Sequence, residues 1–431
     1  MSKISSSTNP THFLSHLKTR ELIHDVTPSL ESYLQSSFEK KEVPKVYAGF
    51  DPSADSLHVG NLLPAMMLRR AQILGLQPIV LLGGATGLIG DPSGKKEERN
   101  LLNQNIVAEN LEKIKTQLAG LVDFSPGKYQ AKFANNYDWF KNFNYLDFLR
   151  DVGKHITVNY MTAKDSVKIR METGISYAEF CYMLVQGYDF LHLFEKENCR
   201  IQIGGSDQWG NITTGIELIR RKHQAEGHAL SSPLLTDSAG NKLGKSEKGA
   251  TYLNPKFTTP FQFFQYWLNL TDLDAPKVLR YLSLFTDEHI NALEMEMRAS
   301  PEKRVPQKAL ALEMTELIHG KQTALGIESA SKVLFSKDAA SLTSLTKEGL
   351  EMLAQEVPSS KFSTAMGILD LLVQINLCKS KGEARRHLSA GAITVNRAKI
   401  SDENYTVDKK DFPHGFALIG LGKSNLHLVL L

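Results

Sequence analysis

The chain has 431 residues, 42% hydrophobic and 23% charged, an ordinary balance for a globular protein with room for two or three domains. No apolar run approaches the ~18 residues that a membrane span needs, and the start lacks an apolar signal core. The three cysteines, Cys181, Cys199 and Cys378, are odd in number and have no metal-like spacing, which argues against a disulfide framework or a zinc site and for a reducing compartment.

The formal charge of +3 is unevenly spread. Residues 361–431 carry ten Lys and Arg against six Asp and Glu, a net of +4, so the first 360 residues stand at −1. A basic tail fits either an anionic partner, nucleic acid above all, or a solvated basic face.

In chain order, the Ser/Thr-rich residues 2–11 read as a frayed end, and "KVYAGF" (45–50) as a strand. A helix is predicted over residues 59–74, with Leu63, Met67, Ala71 and Leu74 as its apolar stripe, Arg69, Arg70 and Gln72 pointing away, and Gly75 ending it. His58 and Asn61 share one face of its first turn. Unpaired N–H groups and the positive dipole end make a phosphate the natural ligand there, and a simple polar cap is the other reading. "PIVLLGG" reads as a second, buried strand. The glycine-rich stretch that follows, "GGATGLIGDPSGKKEER" (83–99), has neither the P-loop spacing nor the dinucleotide fingerprint. It retains close backbone approach to a ligand, a buried-looking Asp91 and the cations Lys95, Lys96 and Arg99.

A Ser176/Glu179 capping box opens the helix "SYAEFCYMLVQGYDFLHLF". On it Tyr182, Gln186 and Asp189 form a polar stripe, read either as a solvated edge or as groups paired with a small polar ligand. "CRIQIGG" is a further strand, giving the βαβ rhythm of a parallel sheet. "TDSAGNKLGKSEKGATYL" places Lys242, Lys245 and Ser246 on a glycine-bracketed loop, suited to a leaving polyphosphate or simply solvated. From residue 260 the pattern turns helical, residues 335–361 read as a linker, and a small basic domain ends the chain. There "CKSKGEARRHLSAGAITVNRAKI" offers Lys379, Lys381, Arg385, Arg386, Arg397 and Lys399 to a phosphate backbone.

The ordered set "DPSADSLHVGN", "GGATGLIGDPSGK", "YMLVQGYDF", "IGGSDQWGN" and "KLGKS" resembles the bacterial-type tyrosyl-tRNA synthetases, a family of class I aminoacyl-tRNA synthetases, from about residue 12 to the C-terminus. The resemblance implies an α/β fold: a Rossmann-like parallel-sheet catalytic domain with an inserted helical segment (1–235), a signature loop and α-helical anticodon-side domain (236–334), the linker (335–361), and a small α+β RNA-binding domain of ribosomal-protein type (362–431). It implies ATP with Mg²⁺ as substrate, tyrosine and tRNA-Tyr as the other substrates, no protein-liganded metal, a homodimer and a cytoplasmic location.

Residue by residue, the resemblance assigns His58 and Asn61 to the ATP phosphates and Lys242, Lys245 and Ser246 to the departing pyrophosphate. Lys95 and Arg99 would close over the phosphates. Tyr47 and Asp189 would meet the phenolic hydroxyl, Tyr182, Asp91 and Gln186 the ammonium group, and Gly49, Asp51, Gly205, Asp207 and Gln208 the ATP and ribose. A buried pair reading a hydroxyl rejects the ligand that lacks it, as tyrosine-activating enzymes do with phenylalanine. Two departures are Asn61, where the class motif often has a second His, and Pro64 in the first turn of the following helix.

Three other readings compete. Tryptophanyl-tRNA synthetases share class and fold, but Tyr47, Asp189 and the basic tail disfavour them. A synthetase-derived RNA-binding protein without catalysis would have lost His58, Asp91, Asp189, Lys242 or Lys245, all present here. A nicotinamide dehydrogenase lacks its fingerprint.

Overall fold

The computed structural model describes residues 2–93, 102–171, 174–246, 249–335, 342, 345–362, 364–413, 415–422 and 425–431. The chain divides into two compact units, Met1–Thr259 with Tyr266–Leu310, and Pro260–Gln265 with Ala311–Leu431.

The first unit is built on six strands: β1 (Asp25–Val26), β2 (Lys45–Phe50), β3 (Gln77–Leu82), β4 (Lys132–Asn135), β5 (Ile201–Gly205) and β6 (His228–Ser232). Their order is β1-β6-β5-β2-β3-β4, parallel except for β1, which pairs antiparallel with the β6 edge. Strands β2, β3 and β5 lie where the sequence predicts them. Chain order reverses between β2 and β5, and such a switch point opens a crevice beyond the carboxyl ends of the strands. The sheet core is apolar, with Val46, Ile79, Val80, Ile201 and Leu230 buried.

Helix α1 (Leu62–Ile73) is entered through a 3-10 turn, Val59–Asn61, and Gly75 follows it at φ 93°. Its stripe is buried as predicted, but Arg70 is not solvated: it is 0% exposed and its Nη2 donates to the Ser283 carbonyl at 2.7 Å. The helix Asp274–Leu282 and its C-cap Ser283 pack against α1 on the Arg70 side, so this polar side chain found a protein carbonyl instead of water. Arg69 and Gln72 likewise donate to the Leu121 and Asp123 carbonyls.

Helices α2 (Tyr177–Glu197) and α3 (Trp209–His223) cross at two glycines. A Cβ on Gly215 would lie 2.7 Å from Phe190 Cβ and 3.2 Å from the Gly187 carbonyl, and one on Gly187 would lie 3.3 Å from the Gly215 nitrogen. This close approach fixes where α2 presents its polar stripe. At the start of α2, Ser176 accepts from the Glu179 N–H, but the Glu179 carboxylate turns to Arg170 at 2.7 Å instead of closing the expected capping box. Beyond β6, the short strands β7 (Lys245–Ser246) and β8 (Gly249–Ala250) pair antiparallel. The stretch from residue 260 is helical as predicted, with Pro260–Leu268, Asp274–Leu282, Asp287–Ala299 and Val305–His319.

In the second unit, helix α4 (Lys321–Phe335) packs on α5 (Lys347–Glu356), where a Cβ on Gly326 would come within 3.1 Å of the Glu348 backbone. The remaining strands are β9 (Ser359–Lys361), β10 (Met366–Gly367), β11 (Ile393–Val395), β12 (Ala398–Lys399), β13 (Thr406–Val407), β14 (Phe416–Leu421) and β15 (Asn425–Leu430). Five of them form the sheet β12-β11-β14-β15-β9, with β9 parallel to β15. Helix α6 (Lys381–Ser389) buries Ala384 and Leu388 in a core with Ile368, Leu372, Ile393 and Ile419. The segment 335–361, expected as linker, thus contains α5 and β9.

Replacing Gly215 by Ala should force α2 and α3 apart. Overpacking of this kind costs ~1–3 kcal/mol, and because α2 carries Tyr182, Gln186 and Asp189, the KM of a substrate held by that polar stripe should rise as well. Thermal unfolding and steady-state kinetics measure both; an unchanged melting temperature with unchanged KM would show that the crossing tolerates a methyl group.

Candidate active site

A cleft of about 690 Å³ opens at the switch point, and Tyr47, Asp51, His58, Asp91, Tyr182, Gln186, Asp189 and Gln208 all line it. Sheet and α2 bring these residues together although they span more than 160 positions.

At the deep end, Tyr47 on β2 and Asp189 on α2 are each 1% exposed. The Tyr47 hydroxyl is buried and has no hydrogen-bond partner among the described residues. Asp189 accepts from Asn136 Nδ2 and from Trp139 Nε1, both at 3.0 Å. Burial pushes the Asp189 carboxyl up to about 8, opposed by those two hydrogen bonds, and burial followed by the nearby Asp189 charge raises the Tyr47 phenol well above its usual value. A buried hydroxyl and a buried carboxylate side by side suit a ligand hydroxyl that donates to one and accepts from the other.

Across the middle of the cleft the Tyr182 hydroxyl donates to Asp51 Oδ2 at 2.9 Å, while Asp51 Oδ1 accepts from Thr86 at 2.6 Å. Asp91 accepts from the Ser93 N–H at 2.9 Å and from Gln208 Nε2 at 2.7 Å. Gln186 Oε1 accepts from Asn211 Nδ2 at 2.9 Å. Burial, then the charges of Asp51 and Asp91, raise the Tyr182 phenol. Two carboxylates facing one cleft are the electrostatic match for an ammonium group. Gln208, assigned by resemblance to the ribose side, here bridges to Asp91. Gly83 admits this arrangement, since a Cβ there would lie 2.0 Å from Asp51 Oδ1.

At the open end, His58 caps the 3-10 turn, accepting the Gly60 N–H at Nδ1 (2.9 Å), while Asn61 Oδ1 accepts the His58 N–H at 3.0 Å. The cap reading is therefore realised, and it is compatible with the other: a ring accepting at Nδ1 is neutral and carries its proton on Nε2. The second signature is laid against the first by backbone pairing. Thr251 N–H donates to Gly244 O at 2.9 Å, Val59 N–H to Thr251 O at 3.0 Å, and Leu253 N–H to Leu57 O at 2.9 Å. Gly244 has φ 81°, and a Cβ on it would stand 2.9 Å from Val59 Cβ. Lys242 Nζ lies 3.3 Å from Asp207 Oδ2. Lys245 and Ser246 form β7, and Gly49 and Gly205 lie at the strand ends, lining the cleft. Lys95 and Arg99 fall outside the described residues.

In the basic tail Lys379, Lys381, Arg385, Arg386 and Lys399 are exposed. Lys381 pairs with Asp370 at 2.5 Å and Arg385 with Glu403 at 3.2 Å. Arg397 is partly buried and donates to main-chain carbonyls of α4 instead of facing outward.

Sequence reasoning missed Thr86, Ser93, Asn136, Trp139 and Asn211. Asn136 follows β4 directly, and polar residues just past a parallel strand are where a cleft is lined. Trp139 gave no such signal. No group of three His, Cys, Asp or Glu that could hold a metal exists among the described residues, and none of their helices is long and apolar enough to cross a membrane.

Residues 39–336 match the family model for class I tRNA synthetases (W and Y), and residues 349–429 that for the tyrosine–tRNA ligase SYY-like C-terminal domain. The parallel sheet, its switch-point cleft and the two paired signatures are those of a class I aminoacyl-tRNA synthetase. Tyrosine–tRNA ligase 1 of Bacillus cereus is 46% identical over 419 residues, covering 96% of this chain and 99% of its own. Tyrosine–tRNA ligase of Roseiflexus castenholzii is 44% identical over 430 residues, covering 98% and 100%. Among solved structures, a C-terminally truncated mitochondrial tyrosyl-tRNA synthetase from Aspergillus nidulans is similar with TM-score 0.67 and 32% identity, over 75% of this chain and 94% of that one. The chain belongs to the bacterial-type tyrosine–tRNA ligase family, enzymes whose substrates are tyrosine, ATP and tRNA.

The state of Asp189 gives a pH test. An unfolded aspartate titrates near ~4, so between that value and about 8 the folded, ligand-free protein holds a proton that the unfolded chain has released. Its contribution to stability therefore falls as pH rises across this window. The stability difference between wild type and Asp189→Asn in urea should shrink from pH 4 to pH 8. Trp139→Phe removes a donor to the carboxylate, so the decline should then extend to higher pH. An upper limit that does not move would mean that Trp139 leaves the charge on Asp189 unaffected.

Proposed function

We propose that the cleft activates L-tyrosine and transfers it to the 3'-terminal adenosine of tRNA-Tyr. In the first step a tyrosine carboxylate oxygen attacks the α-phosphorus of ATP, the bond to the β-phosphate breaks, and pyrophosphate leaves with Mg²⁺ accompanying the nucleotide. In the second, the terminal ribose hydroxyl attacks the tyrosyl carbonyl and AMP departs. The substrate supplies its own nucleophile, so the protein acts by position and charge.

The observation that carries this reading is the buried pair Tyr47 and Asp189, with Asp189 oriented by Asn136 and Trp139. It reads the phenolic hydroxyl, while Asp91, Tyr182 and Gln186 take the ammonium group. His58 Nε2 and the Asn61 amide face the phosphates; Lys242, Lys245 and Ser246, with Lys95 and Arg99, receive the pyrophosphate; Gly49, Asp51, Gly205, Asp207 and Gln208 serve the nucleotide. The exposed cations of the tail dock tRNA. Activity in the cytoplasm accords with the three free cysteines.

Amino-acid-dependent ATP–pyrophosphate exchange with all twenty amino acids tests the specificity: tyrosine should support it and phenylalanine and tryptophan barely, and a preference for tryptophan would overturn the reading. Lys242→Ala should slow adenylate formation by roughly 10²-fold, the typical loss for one contact made in the transition state, while tyrosine affinity by equilibrium dialysis stays within about twofold. Reversing charge at Arg385 and Arg386 should weaken tRNA binding and flatten its salt dependence while exchange is kept.

A homodimer is supported by an apolar surface between β4 and α2. On Tyr145–Asp151, Val158–Thr162, Asp165–Met171 and the start of α2, the residues Tyr145, Leu146, Val158, Ile169, Met171 and Tyr177 are all more than half exposed. Such a concentration marks a contact surface. Ile169→Glu should shift sedimentation toward the monomer; an unaltered sedimentation coefficient would place the dimer contact elsewhere.

A further inference from the structure

Strands β11 and β12 pair at Thr394↔Lys399 and Val395↔Ala398, so Asn396 and Arg397 are the two central residues of a tight hairpin. Both have positive φ, 50° and 70°. This is the pattern of a type I′ turn, whose second position is ordinarily Gly. Asn396 suits its place: its Nδ2 donates to the Asp411 carbonyl at 2.7 Å, and its Oδ1 accepts from the Leu418 N–H at 2.9 Å. Arginine is the anomaly, because a Cβ makes the left-handed region unfavourable.

What the arginine does lies outside the hairpin. Its Nη2 donates to the carbonyls of Val333 at 2.5 Å and Leu334 at 2.9 Å. These belong to the last described turn of α4, toward the negative end of its dipole. A guanidinium is the side chain best shaped to cap two such oxygens at once. The hairpin that Arg397 pins also carries Lys399, and α6, with Arg385 and Arg386, runs through Gly391 into β11. A shift of the pinned turn therefore moves all three cations.

We infer that Arg397 is a positioning residue for tRNA charging: it fixes the basic domain to the end of α4, so that Arg385, Arg386 and Lys399 meet one tRNA in one orientation, and it does not itself contact RNA. The inference rests on the tRNA-docking reading of the basic face.

The full chain with Arg397→Gly isolates the pin, since glycine adopts positive φ without strain and the hairpin is kept. Tyrosine-dependent pyrophosphate exchange should stay within about twofold of wild type, while KM for tRNA rises about tenfold with kcat nearly unchanged. The slope of log KM against log salt should equal the wild-type slope, and Arg397→Lys should recover part of the loss. A slope smaller by about one would mean that Arg397 neutralises a tRNA phosphate directly, which overturns the inference. So would an unchanged KM, or a joint fall of exchange and charging. The charge-reversed Arg385/Arg386 variant separates the two ideas: if it raises KM and Arg397→Gly does not, only the positioning role fails. If it leaves KM unchanged, the basic-face reading falls and the inference with it.

Discussion

A carboxylate can be buried only where donors replace its water, and in this protein that requirement organises the cleft. Asp189 sits beneath the sheet's switch point with Asn136 and Trp139 as its donors. These come from the segment after β4, the edge strand of the sheet. The pocket floor therefore exists only when β4 is docked and α2 is at its short distance from α3, the distance set by Gly187 and Gly215. Burial resists the charge and the donors restore part of it, which leaves Asp189 titrating at about 8.

The open end follows a different principle. His58 and Asn61 accept the Gly60 and His58 N–H groups of the 3-10 turn, so the geometry of that turn is set locally before any ligand binds. The lysine loop is closed by Asp237, whose carboxylate accepts from the Ala239 and Asn241 N–H groups at 3.0 and 2.8 Å. Its backbone is tied to the first signature by the chain of bonds from Gly244 through Thr251 to Val59, and the left-handed Gly244 lets it lie flat against Val59. Two signatures nearly 190 positions apart are thereby held side by side.

In the second unit, charge is divided between display and support. Exposed cations on α6 and β12 remain available to an anionic polymer, whereas Arg397 is drawn into the protein by two helix-end carbonyls. Net charge alone would have counted all of them equally.

Local patterns made much of this legible beforehand. Strands β2, β3 and β5, the apolar stripe of α1 with its terminating Gly75, the cap at Ser176 and the polar stripe Tyr182, Gln186 and Asp189 all rest on interactions within a few residues, and spacing encodes those directly. The order of five motifs pointed to the family for the same reason, since each motif is contiguous. Tertiary structure alone decided where groups without a local partner went. Arg70 read as solvated until another layer covered it; Trp139 read as one more aromatic until it reached Asp189; Arg397 read as an RNA contact until α4 offered its carbonyls. Hydrogen-bond donors on long or rigid side chains find acceptors by proximity in space, which no periodicity records, and so the chain alone specified its elements and signatures while packing chose their polar partners.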